Sequence, residues 1–152
     1  MSIQRFMVGA ALVLGGCQAA LAGEFATAQE AKAMLARAVA AIKANKKKAL
    51  EEITVKDPKW IDRDLYPFAL DMQGVVLAHG ANAKLVGKAL GELKDADGKA
   101  FVKDMIDQSR STGKCVVDYK WTDPLSKKVL AKHAFCERID DDMFVGVGVY
   151  AR

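Results

Sequence analysis

The chain has 152 residues, of which 51% are hydrophobic and 28% charged, with a formal net charge of +4. This length indicates one domain that can bury a single core, and the composition is that of a globular protein. The densest basic run, Lys46 to Lys48, has no interleaved aromatic residues. We therefore expect a solvated helix face there and no binding of nucleic acid.

The first 22 residues have the layout of a secretory signal peptide. Arg5 precedes a short apolar run, and small residues end at Ala22, where we expect cleavage. A second interpretation stays open, because Leu14 to Cys17 (LGGC) resembles a bacterial lipobox, which would place a lipid on Cys17. The apolar run is too short for a membrane span. Under either interpretation the domain, residues 23–152, is predicted to be periplasmic or secreted.

Thr27 to Ile53 is predicted to form one long helix. Thr27 and Glu30 give a capping-box signal, and apolar residues recur at helical spacing along the segment. At ~1.5 Å per residue such a helix would extend about 40 Å. We therefore expect part of it to pack on a partner, which includes a second copy in a homodimer, or to stand away from the core.

A β-hairpin is predicted next, with its turn at Asp71 to Gly74. Pro67 cannot donate to a strand ladder, so its strand is expected at a sheet edge or with a bulge. His79, at the end of the returning strand, is either a strand-end hydrogen-bonding residue or a ligand contact. Further along, Asp95 to Gly98 (DADG) lacks the ligand spacing of a calcium loop and is interpreted as a turn that caps the following helix, Lys99 to Gly113.

The segment from Cys115 to Cys136 is predicted to be a second hairpin with its turn near Pro124 to Ser126. If the two cysteines lie opposite each other, antiparallel pairing also places Tyr119 opposite Lys132. An even cysteine pair in an exported protein favours a disulfide.

The same register gathers three chemically useful side chains on one sheet face: Tyr119, Trp121 and Lys132. Two aromatic rings and an ammonium on one face are typical of a binding site for a small carboxylate. The alternative is that the aromatic rings belong to the core and Lys132 reaches out to water. Gly146 and Gly148 share a face of the last predicted strand and indicate the close approach of a ligand or backbone, a bulge, or a closely packed helix.

Catalysis and metal binding are not predicted. Cys136 and His133 fall on opposite faces of the hairpin, which disfavours a nucleophile and base pair, and a disulfide would remove the thiol. The two histidines, His79 and His133, have no metal-ligand spacing. We therefore expect no catalytic residues, no metal and no cofactor.

Four segments together resemble the single Cache domains (type 2) of bacterial extracytoplasmic sensors: LYPFALDMQGVVLAHGANAKLVGKAL, DADGKAFVKDMID, VVDYKW and FVGVGVY. The resemblance covers about residues 25 to 151. It implies a long N-terminal helix followed by a PAS-like antiparallel sheet. With the predicted elements, the fold class is α+β, with five strands and the helices on one side of the sheet.

The resemblance also implies a pocket for a small ligand, often a short organic acid. Lys132 would supply charge, Tyr119 a hydroxyl, and Trp121 and Phe68 apolar walls. The pocket residues carried over are Tyr66, Phe68, His79, Tyr119, Trp121 and Lys132.

Many relatives continue into a transmembrane helix and a kinase or chemotaxis module, whereas this chain stops at Arg152. We therefore expect a free-standing sensor or binding protein that passes its signal to a separate membrane partner. The alternative is a periplasmic interaction or dimerisation module that binds no ligand and acts through its N-terminal helix.

Overall fold

The computed structural model describes residues 23–152, so the predicted signal peptide and Cys17 lie outside the described residues. None of the helices in this part of the chain combines the length and apolar character that a membrane crossing needs. Two single-turn 3-10 helices accompany eight main elements. These are α1 (Ala28–Ala44), α2 (Lys46–Thr54), β1 (Pro67–Asp71), β2 (Val76–His79), α3 (Phe101–Thr112), β3 (Lys114–Thr122), β4 (Val129–Arg138) and β5 (Met143–Tyr150).

The strands form one antiparallel sheet in the order β2-β1-β5-β4-β3. The predicted α+β class and the five-stranded sheet are confirmed. The helices, expected on one side, lie on both: α1 and α2 pack on one face and α3 on the other. The reason is the composition of the central strands. In β5, Val145 and Val147 face α1 while Phe144 faces the α3 side, so both faces need cover.

The N-terminal helical segment is divided at Asn45, where one continuous helix was predicted. The Asn45 backbone is extended (φ −154°), and its side-chain oxygen accepts from the Lys48 amide at 3.2 Å, which caps the start of α2. The apolar face of both helices is buried against the sheet, as Met34, Ile42 and Ile53 show. The expectation that part of this segment stands away from the core is therefore wrong.

Pro67 is the first residue of β1, which lies between β2 and β5 and is not an edge strand. The pairing of β1 with β2 shifts register between Ala69 and Leu70. Of the two alternatives predicted for this strand, the irregular register is therefore confirmed and the edge position is wrong. A proline is tolerated in an interior strand here because it stands at the strand end.

The β3–β4 hairpin has the predicted register. Cys115 is opposite Cys136 and Tyr119 is opposite Lys132. The cysteines form a disulfide, with 4.7 Å between their Cα atoms. The buried residues of β3 in this hairpin, Cys115, Val117 and Tyr119, share the face that α3 covers.

Strand β3 is one of the two edge strands of the sheet, and side chains accept from amides on its outer side. The Gln108 side chain accepts from the Val116 amide at 3.0 Å, and Asp95 accepts from the Lys120 amide at 2.8 Å. Asp95 also accepts from the Lys99 amide at 2.9 Å, whereas α3 begins without a side-chain cap. The turn at Asp95 thus binds the backbone of the edge strand. The prediction that it caps α3 is wrong. Such cover of the edge strand removes a surface for strand-to-strand association.

Candidate functional site

The site is built around a buried lysine in the middle of the sheet. Lys132, on β4, lies between Tyr119 of β3 and Tyr150 of β5 in the strand register, and only 1% of its surface is exposed. Gly148 of β5 makes the space for it: a Cβ atom added there would lie 2.7 Å from Lys132 Cε. Lys132 therefore follows the sheet face toward the interior and does not reach solvent.

The Lys132 ammonium sits among aromatic rings. Its Nζ is 4.1 Å from the ring centroid of Tyr66, 5.1 Å from that of Tyr150 and 5.2 Å from that of Phe68. It donates a hydrogen bond to the Tyr66 hydroxyl at 2.9 Å. The Tyr150 hydroxyl donates to the Thr122 carbonyl at 2.8 Å, so the 2.9 Å contact between the two tyrosines makes Tyr66 the donor and Tyr150 the acceptor. The hydrogen bonds therefore form a continuous series from the Lys132 ammonium through the two tyrosine hydroxyls to the Thr122 carbonyl.

The Lys132 ammonium has too few hydrogen-bond acceptors and negative charges around it to compensate its own charge. It has three N–H donors, but Tyr66 is its one hydrogen-bond partner among the described residues, and no carboxylate of residues 23–152 forms an ion pair with it. Burial lowers the pKa of Lys132 to about 7, and the negative charge of Asp64 opposes that shift. A buried cation in this condition gains free energy from any anion that can reach it.

His79 stands at the end of β2 as a neutral donor. Its Nδ1 accepts from the backbone amides of Ala81 and Asn82, at 3.2 and 3.0 Å, which places the proton on Nε2. Burial lowers its pKa to about 3, with further contributions from the positive charges of Lys132 and Lys56. The strand-end hydrogen bond predicted for His79 is present, and the ring also lines the cavity described next.

A small cavity lies between the sheet and α3. Its volume is about 20 Å³, which is room for about one water molecule. The Tyr119 ring lies flat against that of Phe101, with 4.3 Å between centroids, and helps to close it. The cavity is lined by four of the predicted site residues, Phe68, His79, Tyr119 and Trp121.

The other two predicted residues, Tyr66 and Lys132, lie beside this cavity and not in its lining. Phe68 joins the two parts, since its ring lines the cavity and also faces the Lys132 ammonium. The structure thus brings all six predicted residues into one neighbourhood. It divides them into an aromatic cavity and a hydrogen-bonded pair of Lys132 and Tyr66.

Two contributors were missed from the sequence: Tyr150 completes the hydrogen-bond chain, and Phe101 of α3 lines the cavity. Gly146, which the sequence marked as a point of close approach, accommodates Phe68, whose ring would collide with a Cβ at that position. The glycine spacing on β5 was a usable signal for close approach. The approaching groups are the Phe68 and Lys132 side chains, which could not be named because the neighbours of β5 were not predicted.

Comparison with known proteins gives a consistent set of relatives. A family model described as single Cache domain 2 matches residues 7–152. The methyl-accepting chemotaxis protein McpP of Pseudomonas putida is 29% identical over 90 residues, which are 59% of this chain and 16% of that protein. The chain thus spans a small part of that protein's length.

Two solved structures extend the likeness to three dimensions. A methyl-accepting chemotaxis protein from Vibrio parahaemolyticus is 30% identical with a TM-score of 0.69, over 80% of this chain and 86% of that chain. A Cache chemosensory domain, studied for its recognition of carboxylic acids, is 26% identical with a TM-score of 0.64, over 82% of this chain and 88% of its own.

Proposed function

Because the chain belongs to the single Cache domain 2 family, we propose that it is an extracytoplasmic sensor domain that binds a short organic acid through Lys132. One observation carries the proposal: a fully buried ammonium with one hydrogen-bond partner among the described residues. A carboxylate would satisfy the two remaining N–H donors and compensate the charge. The related Cache domain that recognises carboxylic acids supports this choice of ligand class.

The surrounding side chains have complementary roles in the proposal. Tyr66 holds the ammonium in place, because its hydroxyl accepts from Lys132 and donates onward to Tyr150. Tyr119, opposite Lys132, would donate its hydroxyl to a carboxylate oxygen, and His79 would offer Nε2–H as a second donor. Phe68 and Trp121 would enclose the carbon chain.

The size of the cavity limits the ligand and implies a movement. About 20 Å³ does not hold an organic acid, so binding requires side chains of α3, such as Phe101 and Met105, to move away from the sheet. A short acid needs the smallest displacement. Binding would then be coupled to the position of α3, which gives the domain a conformational response to its ligand.

The small volume of the cavity is also the observation that favours the alternative, an interaction module without a ligand. That alternative was expected to act through the N-terminal helix. In the structure the apolar face of α1, including Ala31, Leu35 and Ala38, is already buried in the core of the domain. The apolar face of α1 therefore needs no partner, whereas the buried charge of Lys132 lacks an anion to compensate it. For this reason ligand binding is the better-supported function.

Four parts of the prediction remain predictions: cleavage after Ala22, the alternative lipid on Cys17, a homodimer, and a free-standing domain that signals through a separate membrane partner. The intact mass of the protein isolated from its native cells tests the first two and the chain length. A sedimentation experiment on the same material tests the homodimer.

The experiment for the proposed function is a thermal-shift screen of the protein against mono- and dicarboxylic acids of two to four carbons. A ligand at 100 times its Kd stabilises a fold by about 2.7 kcal/mol, which is a shift of several degrees. The variant Lys132→Met should fold and lose the shift, whereas Lys47→Met, at an exposed helix position, should keep it. A shift that survives in Lys132→Met, or no shift with any acid, would sink the proposal.

A further inference from the structure

Among the described residues, three residues other than glycine have a left-handed backbone, and all three are basic: Lys56 (φ 59°), Arg63 (φ 55°) and Lys127 (φ 62°). They belong to three separate loops, yet they line the same surface cleft. Glycine is the residue that this conformation favours. Where side chains are held in disfavoured backbone conformations around one concavity, a role in ligand binding is a natural explanation.

The cleft has a volume of about 200 Å³ and lies against Tyr66, Gly80 and Ala81. A second cleft of about 450 Å³ shares Ala81, Pro124 and Lys127 with it, so Lys127 stands between the two. Ile61 and Leu125 supply apolar walls to the first cleft. No acidic side chain lines either cleft in the described part of the chain.

The three cations differ in what they already bind. Arg63 is occupied, since it contacts Glu30 at 2.7 Å, Asp62 at 2.9 Å and the carbonyls of Gly23 and Phe25. Lys56 and Lys127 form no ion pair with any carboxylate of residues 23–152. Two lysines without an ion pair thus line a cleft that has no acidic residues and has partly apolar walls, which suits a small organic anion.

Side chains that line the outer clefts also belong to the inner site. Tyr66 lines the first cleft, while its hydroxyl accepts from Lys132. His79 and Trp121 line both the second cleft and the inner cavity. The charge of Lys56 reaches His79, where it adds to that of Lys132 in lowering the pKa of the imidazole. The outer cations are therefore placed along a route toward the inner ammonium.

We propose that the cleft rimmed by Lys56 and Lys127 is a second, outer binding site for small carboxylate anions, from which the ligand passes by His79 and Trp121 to Lys132. The inference rests on the proposed function for the inner site. Cations at the edge of a low-dielectric cleft raise the local concentration of anions and their association rate. A glycine at either position would suit the backbone but would remove that charge, which explains why lysine stands there.

The test is an NMR titration of the 15N-labelled protein at constant ionic strength, first with acetate and then with citrate. Citrate is larger than the two- to four-carbon acids proposed for the inner site and should bind at the outer site alone. The amides of Gly80, Ala81 and Lys127 report on the outer site, and the amide of Lys132 reports on the inner one. Both anions should shift the outer amides of the wild type and of Lys132→Met. In the double variant Lys56→Gln/Lys127→Gln the outer affinity should fall about tenfold.

Lys43→Gln/Lys47→Gln is the matched control, since it removes two exposed charges elsewhere and should leave the outer affinity unchanged. An equal loss in this control, or an unchanged outer affinity in the Lys56/Lys127 variant, would overturn the outer site. Shifts of the inner amide alone would overturn it and leave the proposed function standing. If acetate shifts the outer amides alone, the outer anion site is supported and the proposed function is contradicted.

A second variant separates binding from folding. Lys56→Gly/Lys127→Gly removes the two charges and also the backbone conflict at φ 59° and 62°. Its melting temperature should equal or exceed that of the wild type while its outer anion affinity falls about tenfold. Unchanged affinity in this variant would contradict the inference, whatever the melting temperature.

Discussion

The Lys132 ammonium donates to the Tyr66 hydroxyl across 2.9 Å, and each of the two residues is only 1% exposed. The contact joins a residue in the middle of β4 to one just before β1, and the Tyr66 hydroxyl continues the chain to Tyr150 on β5. A single neutral acceptor cannot compensate a buried cation fully. This contact therefore holds the ammonium in position and leaves it able to bind an anion.

Tyr66→Phe should destabilise the protein. The substitution keeps the ring near Lys132 but removes the acceptor of the ammonium, which leaves a buried charged donor without a partner. We expect the free energy of unfolding to fall by about 1–3 kcal/mol, measured by chemical denaturation. Tyr119→Phe is the comparison, since the Tyr119 hydroxyl has no hydrogen bond within the described residues. It should reduce stability less and acid affinity more, and equal losses of stability would contradict these roles.

The stability of the ligand-free protein should rise with pH above neutrality. Burial lowers the pKa of Lys132 from 10.5 to about 7, so between these values the unfolded chain binds a proton that the folded chain does not. Stability increases with pH wherever the unfolded state binds more protons, and here the rise should amount to a few kcal/mol. Urea denaturation from pH 6.5 to 10 measures it. Lys132→Met should remove the rise, and an identical slope in wild type and variant would contradict the assignment.

Gly148→Ala should disturb the site. The added Cβ would lie 2.7 Å from Lys132 Cε and 3.0 Å from the His133 carbonyl oxygen. Overpacking of this kind costs about 1–3 kcal/mol, and the displaced ammonium should lose the ligand-induced thermal shift. In a Lys132→Ala background the same glycine substitution should cost less, because its nearest neighbour has gone. A double-mutant cycle measures that coupling, and simple additivity would argue against it.

Removal of the disulfide should lower stability and spare binding. Cys115 and Cys136 are 21 residues apart in sequence, and closing such a loop contributes about 3 kcal/mol, in part through the unfolded state. The double variant Cys115→Ala/Cys136→Ala should melt at a lower temperature. Neither cysteine lines the inner cavity, so acid affinity should change less than twofold. A complete loss of binding in a folded variant would show that the bond shapes the site.

Local patterns predicted the β3–β4 hairpin well, because one assumed pair, Cys115 with Cys136, sets every other pair in an antiparallel ladder. This is why the amino-acid sequence is enough to place Tyr119 and Lys132 on one face of the hairpin. The same reasoning could not reach Tyr150. Its strand pairs with β1 and β4, and no local signal specifies which strands of a sheet become neighbours.

The other differences have local causes in two places and a distant one in the third. The break at Asn45 follows from a side chain that can cap a helix as well as continue one. Helices were predicted on one side of the sheet, although β5 has apolar residues at successive positions, which are typical of a strand covered on both sides. Asp95 was interpreted within its own turn, and its contact with Lys120 depends on the distant edge strand.

The most direct measurement is the pKa of Lys132 itself, followed through the chemical shift of its 13C-labelled ε-carbon with and without saturating acid. In the free protein the midpoint should lie near 7, because burial disfavours the charged form. A carboxylate bound to the ammonium should raise the pKa of Lys132 by at least about one unit, which corresponds to about 1.4 kcal/mol of preferential binding to the charged form. An unchanged midpoint, with the acid demonstrably bound, would contradict the assignment of Lys132 as the ligand's partner.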